Sequence, residues 1–130
     1  MFIFGHRFIK SHNFYHITDI DAITNTPPNS TLVIDFNEDD LDIIEYAFTN
    51  EINFSLNVKN ITEIIYASSL GASYIIIPSK LAKIAQDIAN NYLFDAKILV
   101  HVEDENEIEE LAILGVDGVI FSNAIIKISS

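Results

Sequence analysis

The stretch LGVDGVIFSNAI, residues 114–125, contains the two signals that decide the fold of this chain. Gly115 follows an apolar pattern of helical spacing, and a glycine at that place ends a helix by adopting the left-handed conformation. The residues GVIF at 118–121 are suited to a strand that is buried on both faces, as in a parallel sheet. The stretch therefore predicts a turn from a helix into a buried parallel strand.

The same pattern occurs earlier in the chain, around Gly71. A spacing of 44 residues aligns VKNITEIIYASSLGASYIII (58–77) with VEDENEIEELAILGVDGVIF (102–121), so that Gly71 falls on Gly115. The alignment pairs one strand–helix–strand unit with another. Such internal similarity is typical of folds that are built from repeated βα units.

Apolar runs and helical patterns alternate along the whole chain. Strands are predicted at 14–17, 31–36, 53–58, 74–78, 97–102 and 118–121, and residues 2–4 are suited to a further short strand. The alternation predicts one α/β domain, 1–130, with an open parallel sheet of about six strands that resembles part of a TIM barrel. A closed barrel of that type has eight strands and usually about 200 or more residues.

Helix starts and apolar stripes are recognisable between these strands. Asn60 and Asp104 each precede a Glu by three residues, the spacing of a capping box, and Ser79 is suited to cap the next helix. Two apolar stripes recur at helical spacing: Leu41, Ile44 and Phe48, then Leu81, Ile84, Ala85, Ile88 and Tyr92. Both stripes predict helix faces that pack on the sheet.

Composition restricts the class of partner. A net charge of −12 with only seven Lys and Arg residues makes nucleic acids and anionic membranes improbable partners. The chain has no cysteine and no apolar run long enough to span a membrane, so a cytoplasmic protein is expected. The acidic runs at 38–42 and 103–110 are interpreted as solvated helix starts, since neither contains the glycine turn of a calcium loop.

Polar residues follow several predicted strands, at the edge where parallel sheets bind ligands. His6 and Asp35 form the candidate catalytic pair, and Asp35 and Glu103 are candidate metal ligands. The candidate ligand-binding residues are Arg7, His101, Ser122 and Asn123. A helix cap is the favoured interpretation of Ser122 and Asn123, and a hydrogen-bonded histidine, buried or half-buried, is the favoured interpretation of His101.

Two segments carry a family resemblance. IFGHR (3–7) resembles the first strand and His-Arg pair of the glycerophosphodiester phosphodiesterases, and residues 102–120 are similar to their last barrel turn. The resemblance implies a metal-dependent hydrolase on a TIM barrel, with His6 in acid–base chemistry and Asp35 as a metal ligand. Phe8 replaces the glycine that follows the His-Arg pair in the family, and the second catalytic histidine is absent. These differences imply a shortened relative that has lost the chemistry.

Two classes of function follow. The first is a non-catalytic interaction or structural module, self-associating as a dimer because an open sheet leaves edges to be covered. The aromatic residues of the first 16 positions are expected to be exposed and to supply that contact or cover one end of the sheet: Phe2, Phe4, Phe8, Phe14 and Tyr15. The alternative is a phosphodiesterase-like enzyme or a phosphate-ligand-binding protein. Only the enzyme implies a divalent metal, and neither class identifies a protein partner.

Overall fold

A computed structural model describes residues 1–130. Its strands are β1 (Phe2–Phe4), β2 (Phe14–His16), β3 (Thr31–Asp35), β4 (Phe54–Asn57), β5 (Tyr74–Pro78), β6 (Lys97–Val102), β7 (Gly118–Phe121) and β8 (Ile125–Lys127). Its α-helices are α1 (Leu41–Thr49), α2 (Ile61–Ser69), α3 (Ala82–Asn91) and α4 (Ile108–Leu114). The α/β class predicted from the alternating pattern is confirmed.

The strands form one parallel sheet in the order β1-β7-β6-β5-β4-β3-β2-β8. The sheet is open and curled, like part of a barrel, and it has eight strands where about six were predicted. The suggested strand at 2–4 is present as β1, whereas β8 was missed. Because β8 follows a single 3₁₀ turn after β7 and has three residues, no separate apolar run marks it.

The curl is demonstrated by aromatic contacts between distant strands. β1 and β2 are six places apart in the strand order, which is roughly 29 Å in a flat sheet. The ring centroids of Phe4 on β1 and Phe14 on β2 are nevertheless 4.9 Å apart, and both rings contact Tyr74 on β5. These contacts require the sheet to curl around its concave face.

Successive side chains along each strand point to opposite faces of the sheet, so the core is divided between the convex and the concave face. The convex face and the helices share a cluster of 26 buried residues, whereas the concave face holds seven. The seven are Phe4, Phe14, Val33, Ile76, Leu99, Ile120 and Ala124. The expectation that Phe4 and Phe14 are exposed is therefore wrong, because both rings are buried on the concave face. Phe2 and Phe8 are exposed, and Tyr15 is partly buried against the convex-face cluster.

Of the two predicted apolar stripes, the helices α1 and α3 fully bury only Ile44 and Ala85. In α1, Ile43, Ile44 and Ala47 are buried, whereas Leu41 and Phe48 are exposed. In α3 the buried residues are Ala82, Ala85, Gln86 and Ala89, so Ala85 is the only stripe member among them. In α3 the alanines allow the helix to approach the sheet closely, which leaves Ile84 and Tyr92 of its stripe exposed.

The predicted helix caps are confirmed in part. Asn60 Oδ1 accepts a hydrogen bond from the Glu63 amide at 2.9 Å, as the capping-box spacing predicted. The Asp104 side chain accepts from the amide of Asn106, whereas the Glu107 amide donates to the backbone oxygen of Asp104. Ser79 makes no capping hydrogen bond, since α3 is preceded by a 3₁₀ turn that starts at this serine.

The stretch at 114–125 does more than turn a helix into a strand. Gly115 has φ of 82°, the left-handed conformation that was predicted. Asp117 Oδ2 accepts from the Ile98 amide at 2.9 Å, and the Asp117 amide donates to Gln86 Oε1 at 2.8 Å. A Cβ atom at Gly118 would lie 2.7 Å from the backbone oxygen of Phe2. These contacts hold β1, β6 and α3 around β7.

Candidate functional site

The carboxyl edge of the sheet carries a group of polar side chains. Side chains alternate between the two faces of a strand, so the residue two places after a concave-face residue points to the same side. Five polar residues follow concave-face residues in this way: His16 after Phe14, Asp35 after Val33, Asn57 after Ser55, His101 after Leu99 and Ser122 after Ile120. The apolar interior is thereby bordered by polar groups at this edge.

One group of these side chains joins the ends of β2, β3 and β4. His16 Nε2 lies 3.2 Å from Asp35 Oδ2, and Asn57 Nδ2 donates to Asp35 Oδ1 at 2.8 Å. Both carboxylate oxygens of Asp35 therefore have a partner from a neighbouring strand. The His16 side chain is largely buried, whereas that of Asp35 is half exposed.

A second group joins the ends of β6 and β7. The Ser122 hydroxyl donates to Glu103 Oε1 at 2.5 Å, and His101 Nε2 lies 2.8 Å from the Ser122 oxygen. His101 Nε2 and Glu103 Oε1 are 3.4 Å apart. The His101 side chain is 40% exposed and hydrogen bonded, which agrees with the half-buried, hydrogen-bonded histidine expected from the sequence.

A third group surrounds the carboxylate of Glu105. His6 Nε2 lies 2.7 Å from Glu105 Oε2, and Arg7 donates to both oxygens of Glu105 at 2.9 and 3.4 Å. The hydrogen bonds from His6 and Arg7 hold the pKa of Glu105 below its ordinary value of 4.5. The carboxylate neutralises the charge of Arg7 in this part of the edge.

The candidate site residues are thus distributed over separate groups. His6 pairs with Glu105, and Asp35 pairs with His16 and Asn57, so the candidate catalytic pair shares no hydrogen-bond partner. No group of three or more His, Asp or Glu side chains is arranged to hold a metal ion. The candidate ligands Asp35 and Glu103 accordingly belong to different groups.

The acidic run at 38–42 spans the start of α1, as interpreted from the sequence. Asn37 caps the 3₁₀ turn at Glu38–Asp40 through a hydrogen bond to the Asp39 amide, and α1 follows directly. Partial burial and then the charge of Asp35 raise the pKa of Asp40 above its ordinary value. This run is a helix start beside the site edge.

Two clefts open at this edge. The first, of about 700 Å³, is lined by His6, Arg7, Lys10, Ser11, Asn13, Asn123 and the acidic residues 103–105, among others. The second, of about 470 Å³, is lined by Asn57, Lys59, Ile76, Pro78, Ser79, Lys80, His101, Glu103 and Ile125, among others. We name the second the lysine cleft. Of the candidate ligand-binding residues, Arg7 and Asn123 line the first cleft, and His101 lines the lysine cleft. Ser122 is hydrogen bonded to Glu103, and Glu103 lines both clefts.

The two clefts differ in electrostatics. In the first, Arg7 and Lys10 face three carboxylates, and Arg7 is already paired with Glu105. In the lysine cleft, Lys59 and Lys80 face Glu103 alone, and neither lysine forms an ion pair. The lysine cleft is therefore a cationic site on a chain whose net charge is −12.

Sequence reasoning missed the two lysines although a signal was present. Lys59 follows the last residue of β4 by two positions, and Lys80 follows the last residue of β5 by two positions. The rule that directed attention to His6 and Asp35, namely position at the carboxyl end of a strand, applies equally to both lysines. His16 and Glu105 were also missed, because their partners lie 19 and 99 residues away in the chain.

Comparison with known proteins gives no assignment of the site. No protein-family model matches the chain, and no curated protein is detectably similar to it in sequence. None of its helices is both long enough and apolar enough to cross a membrane. The function is therefore argued from the geometry of the carboxyl edge.

Proposed function

We propose that this protein binds a small anionic metabolite of the phosphate-ester class in the lysine cleft. The observation that carries the proposal is that Lys59 and Lys80 line one cleft without an ion-pair partner in a chain of strongly negative charge. Glu103 is the one carboxylate that lines the cleft with the two lysines, and it forms no ion pair with either, so an anion bound there would be attracted by both ammonium groups. His101, which lines the same cleft, adds an imidazole to the donors.

The remainder of the lining suggests what the anion is attached to. Ile76, Pro78 and Ile125 line the lysine cleft together with the two lysines. Small-molecule sites typically combine an apolar surface with a few polar groups that fix orientation. The favoured ligand is consequently a phosphate ester with a compact apolar or aromatic group.

Binding is favoured over the metal-dependent hydrolysis that the family resemblance implies. The family's metal would need several carboxylates around one ion. Here Asp35 is hydrogen bonded to His16 and Asn57, while Glu103 is hydrogen bonded to Ser122 in another group. The residues present do not fit that metal, so no catalytic step is derived through it.

The proposal is tested by thermal unfolding with phenyl phosphate and with inorganic phosphate. A ligand at 100 times its Kd adds about 2.7 kcal/mol to the free energy of unfolding, which corresponds to several degrees in Tm. We expect that shift in the wild type and its loss in Lys59→Gln/Lys80→Gln. Lys83→Gln/Lys97→Gln makes the same change in net charge on α3 and β6, and should retain the shift. Equal shifts in both double variants would reject the lysine cleft as the site.

Self-association as a structural module is a second candidate. It is favoured by the two edge strands, β1 and β8, each of which has only one hydrogen-bonded neighbour. Unpaired strand edges are the usual route by which sheets associate. A dimer mass in solution at micromolar concentration would support this candidate, and a monomer mass would reject it.

A further inference from the structure

The outer surface of α1 and α2 carries apolar side chains that no element of the chain covers. A cleft of about 390 Å³ between the two helices is lined by Phe36, Glu38, Leu41, Tyr66, Ser69 and Leu70. Tyr66 is 53% exposed, and its ring centroid lies 6.1 Å from that of Phe36. We name this cleft the α1–α2 groove.

Phe48 extends the apolar surface at one end of the groove. Its side chain is 61% exposed, and a Cβ atom added to Gly71 would lie 2.5 Å from its Cδ1 atom. Phe48 therefore lies against the residue that follows Leu70 of the groove. Leu41 and Phe48 are seven residues apart, two turns along the same face of α1. The groove is thus elongated, with apolar side chains at both ends.

The charges around this surface are all of one sign. Glu38 lines the groove, and Glu45 occupies the turn of α1 between Leu41 and Phe48. Both carboxylates are exposed and neither forms an ion pair. Neither α1 nor α2 contains a Lys or Arg residue, and none occurs between Lys10 and Lys59. The apolar groove is therefore bordered by uncompensated negative charge.

We infer that the α1–α2 groove binds a basic amphipathic helix of another protein. A groove between two helices accepts the apolar ridge of a third, whose anchors recur at intervals of three and four residues. Lys or Arg residues beside that ridge would pair with Glu38 and Glu45. Opposite charges around an apolar contact both accelerate association and select the partner.

A second copy of this chain is a poorer occupant of the groove. Docking two such grooves would bring Glu38 and Glu45 of each copy toward the other, and like charges across an interface cost binding free energy. No α-helix of the chain carries more than one Lys or Arg, and that one is Lys83 on α3. The complementary helix must therefore come from a different chain.

The test uses synthetic helical peptides of about 18 residues, long enough to form a helix on binding. The first peptide places Leu at helical spacing with Lys on the flanks. A second replaces every Lys by Glu, and a third has the composition of the first with the Leu residues dispersed. We expect the first to bind in fluorescence anisotropy with a Kd of about micromolar order, and the other two to bind about tenfold more weakly or not at all.

Variants of the protein then locate the binding. Three variants should each weaken binding of the first peptide about tenfold, because each removes an apolar anchor or an ion pair: Tyr66→Ser, Phe48→Ser and Glu38→Lys/Glu45→Lys. Ile113→Ser and Glu109→Lys/Glu110→Lys make the same chemical changes on α4 and should leave its Kd unchanged. Circular dichroism of every variant confirms that it is folded.

Four results would overturn the inference. They are no binding of the first peptide, equal binding of the second or third peptide, an unchanged Kd in all three groove variants, or a wild-type dimer that Tyr66→Ser converts to a monomer. The last result would assign the groove to a second copy of the chain.

Discussion

The imidazole of His6 and the carboxylate of Glu105 are 2.7 Å apart, so the segment after β1 is tied to the turn that precedes α4. Residues 99 positions apart in the chain thereby meet at the carboxyl edge. Because His6 and Arg7 stabilise the ionised carboxylate, the pKa of Glu105 in the folded chain lies below its ordinary value of 4.5. The stabilisation is therefore fully present above pH 4.5 and is lost as the pH falls through the folded-state pKa.

The first prediction concerns Glu105→Gln. We expect its Tm to be lower than that of the wild type at pH 6, with a difference that narrows as the pH falls below 4.5. Thermal unfolding at several pH values from 6 to 3 measures the difference. Glu109→Gln removes a carboxylate of α4 that has no ion pair, and its difference from the wild type should not depend on pH in this way. A constant difference for Glu105→Gln would contradict the pairing.

The second prediction concerns Asp117, whose carboxylate accepts a hydrogen bond from the Ile98 amide. Asp117→Ala leaves that amide at the start of β6 without a partner, and we expect a loss of about 1–3 kcal/mol in the free energy of unfolding. Urea denaturation measures the loss. Asp95→Ala, an exposed aspartate near the same strand, should change the stability by about 0.5 kcal/mol or less. Equal effects would mean that Asp117 is only a turn residue.

The third prediction distinguishes the aromatic residues of the first 16 positions. Phe14 is fully buried on the concave face, and Phe8 is 75% exposed. Phe14→Ala should lower the free energy of unfolding by about 3–5 kcal/mol, because it leaves a cavity in a small cluster. Phe8→Ala should change it by about 0.5 kcal/mol or less. A small effect of Phe14→Ala in urea denaturation would be incompatible with a filled concave face.

The fourth prediction separates two glycines of the 114–125 stretch. Gly118→Ala would place a methyl group 2.7 Å from the Phe2 backbone oxygen, so β1 must move away from β7. We expect a cost of about 1–3 kcal/mol together with faster hydrogen exchange of the β1 amides, whose protection is reduced or lost. Gly115→Ala meets no atom within 4 Å and has only the cost of its left-handed φ, about 1–2 kcal/mol. It should leave exchange in β1 unchanged, and loss of β1 protection in both variants would contradict this distinction.

Local signals were sufficient to predict the α/β class and most of the strands. Apolar runs at 31–36, 74–78, 97–102 and 118–121 are continuous because parallel strands are covered on both faces, and each run contains a strand of the sheet. Gly115 predicted its own left-handed turn because the conformation depends on the residue itself. β8 was not predicted, since its three residues become a strand only through pairing with β2.

The sequence predicted where the candidate site lies, but it did not predict which side chains pair with one another there. The sequence itself indicated that polar residues after parallel strands meet at one edge. Asp35, His101 and Ser122 lie at the carboxyl ends of their strands or directly after them, and His6 lies two residues after β1. Which side chains pair there depends on strand order and curl, which bring His16 to Asp35 and Glu105 to His6. The amino-acid sequence by itself thus determined the α/β class, most of the strands and their polar edge. The tertiary structure alone decided the partners, because hydrogen bonds and ion pairs form between atoms a few ångströms apart whatever their separation along the chain.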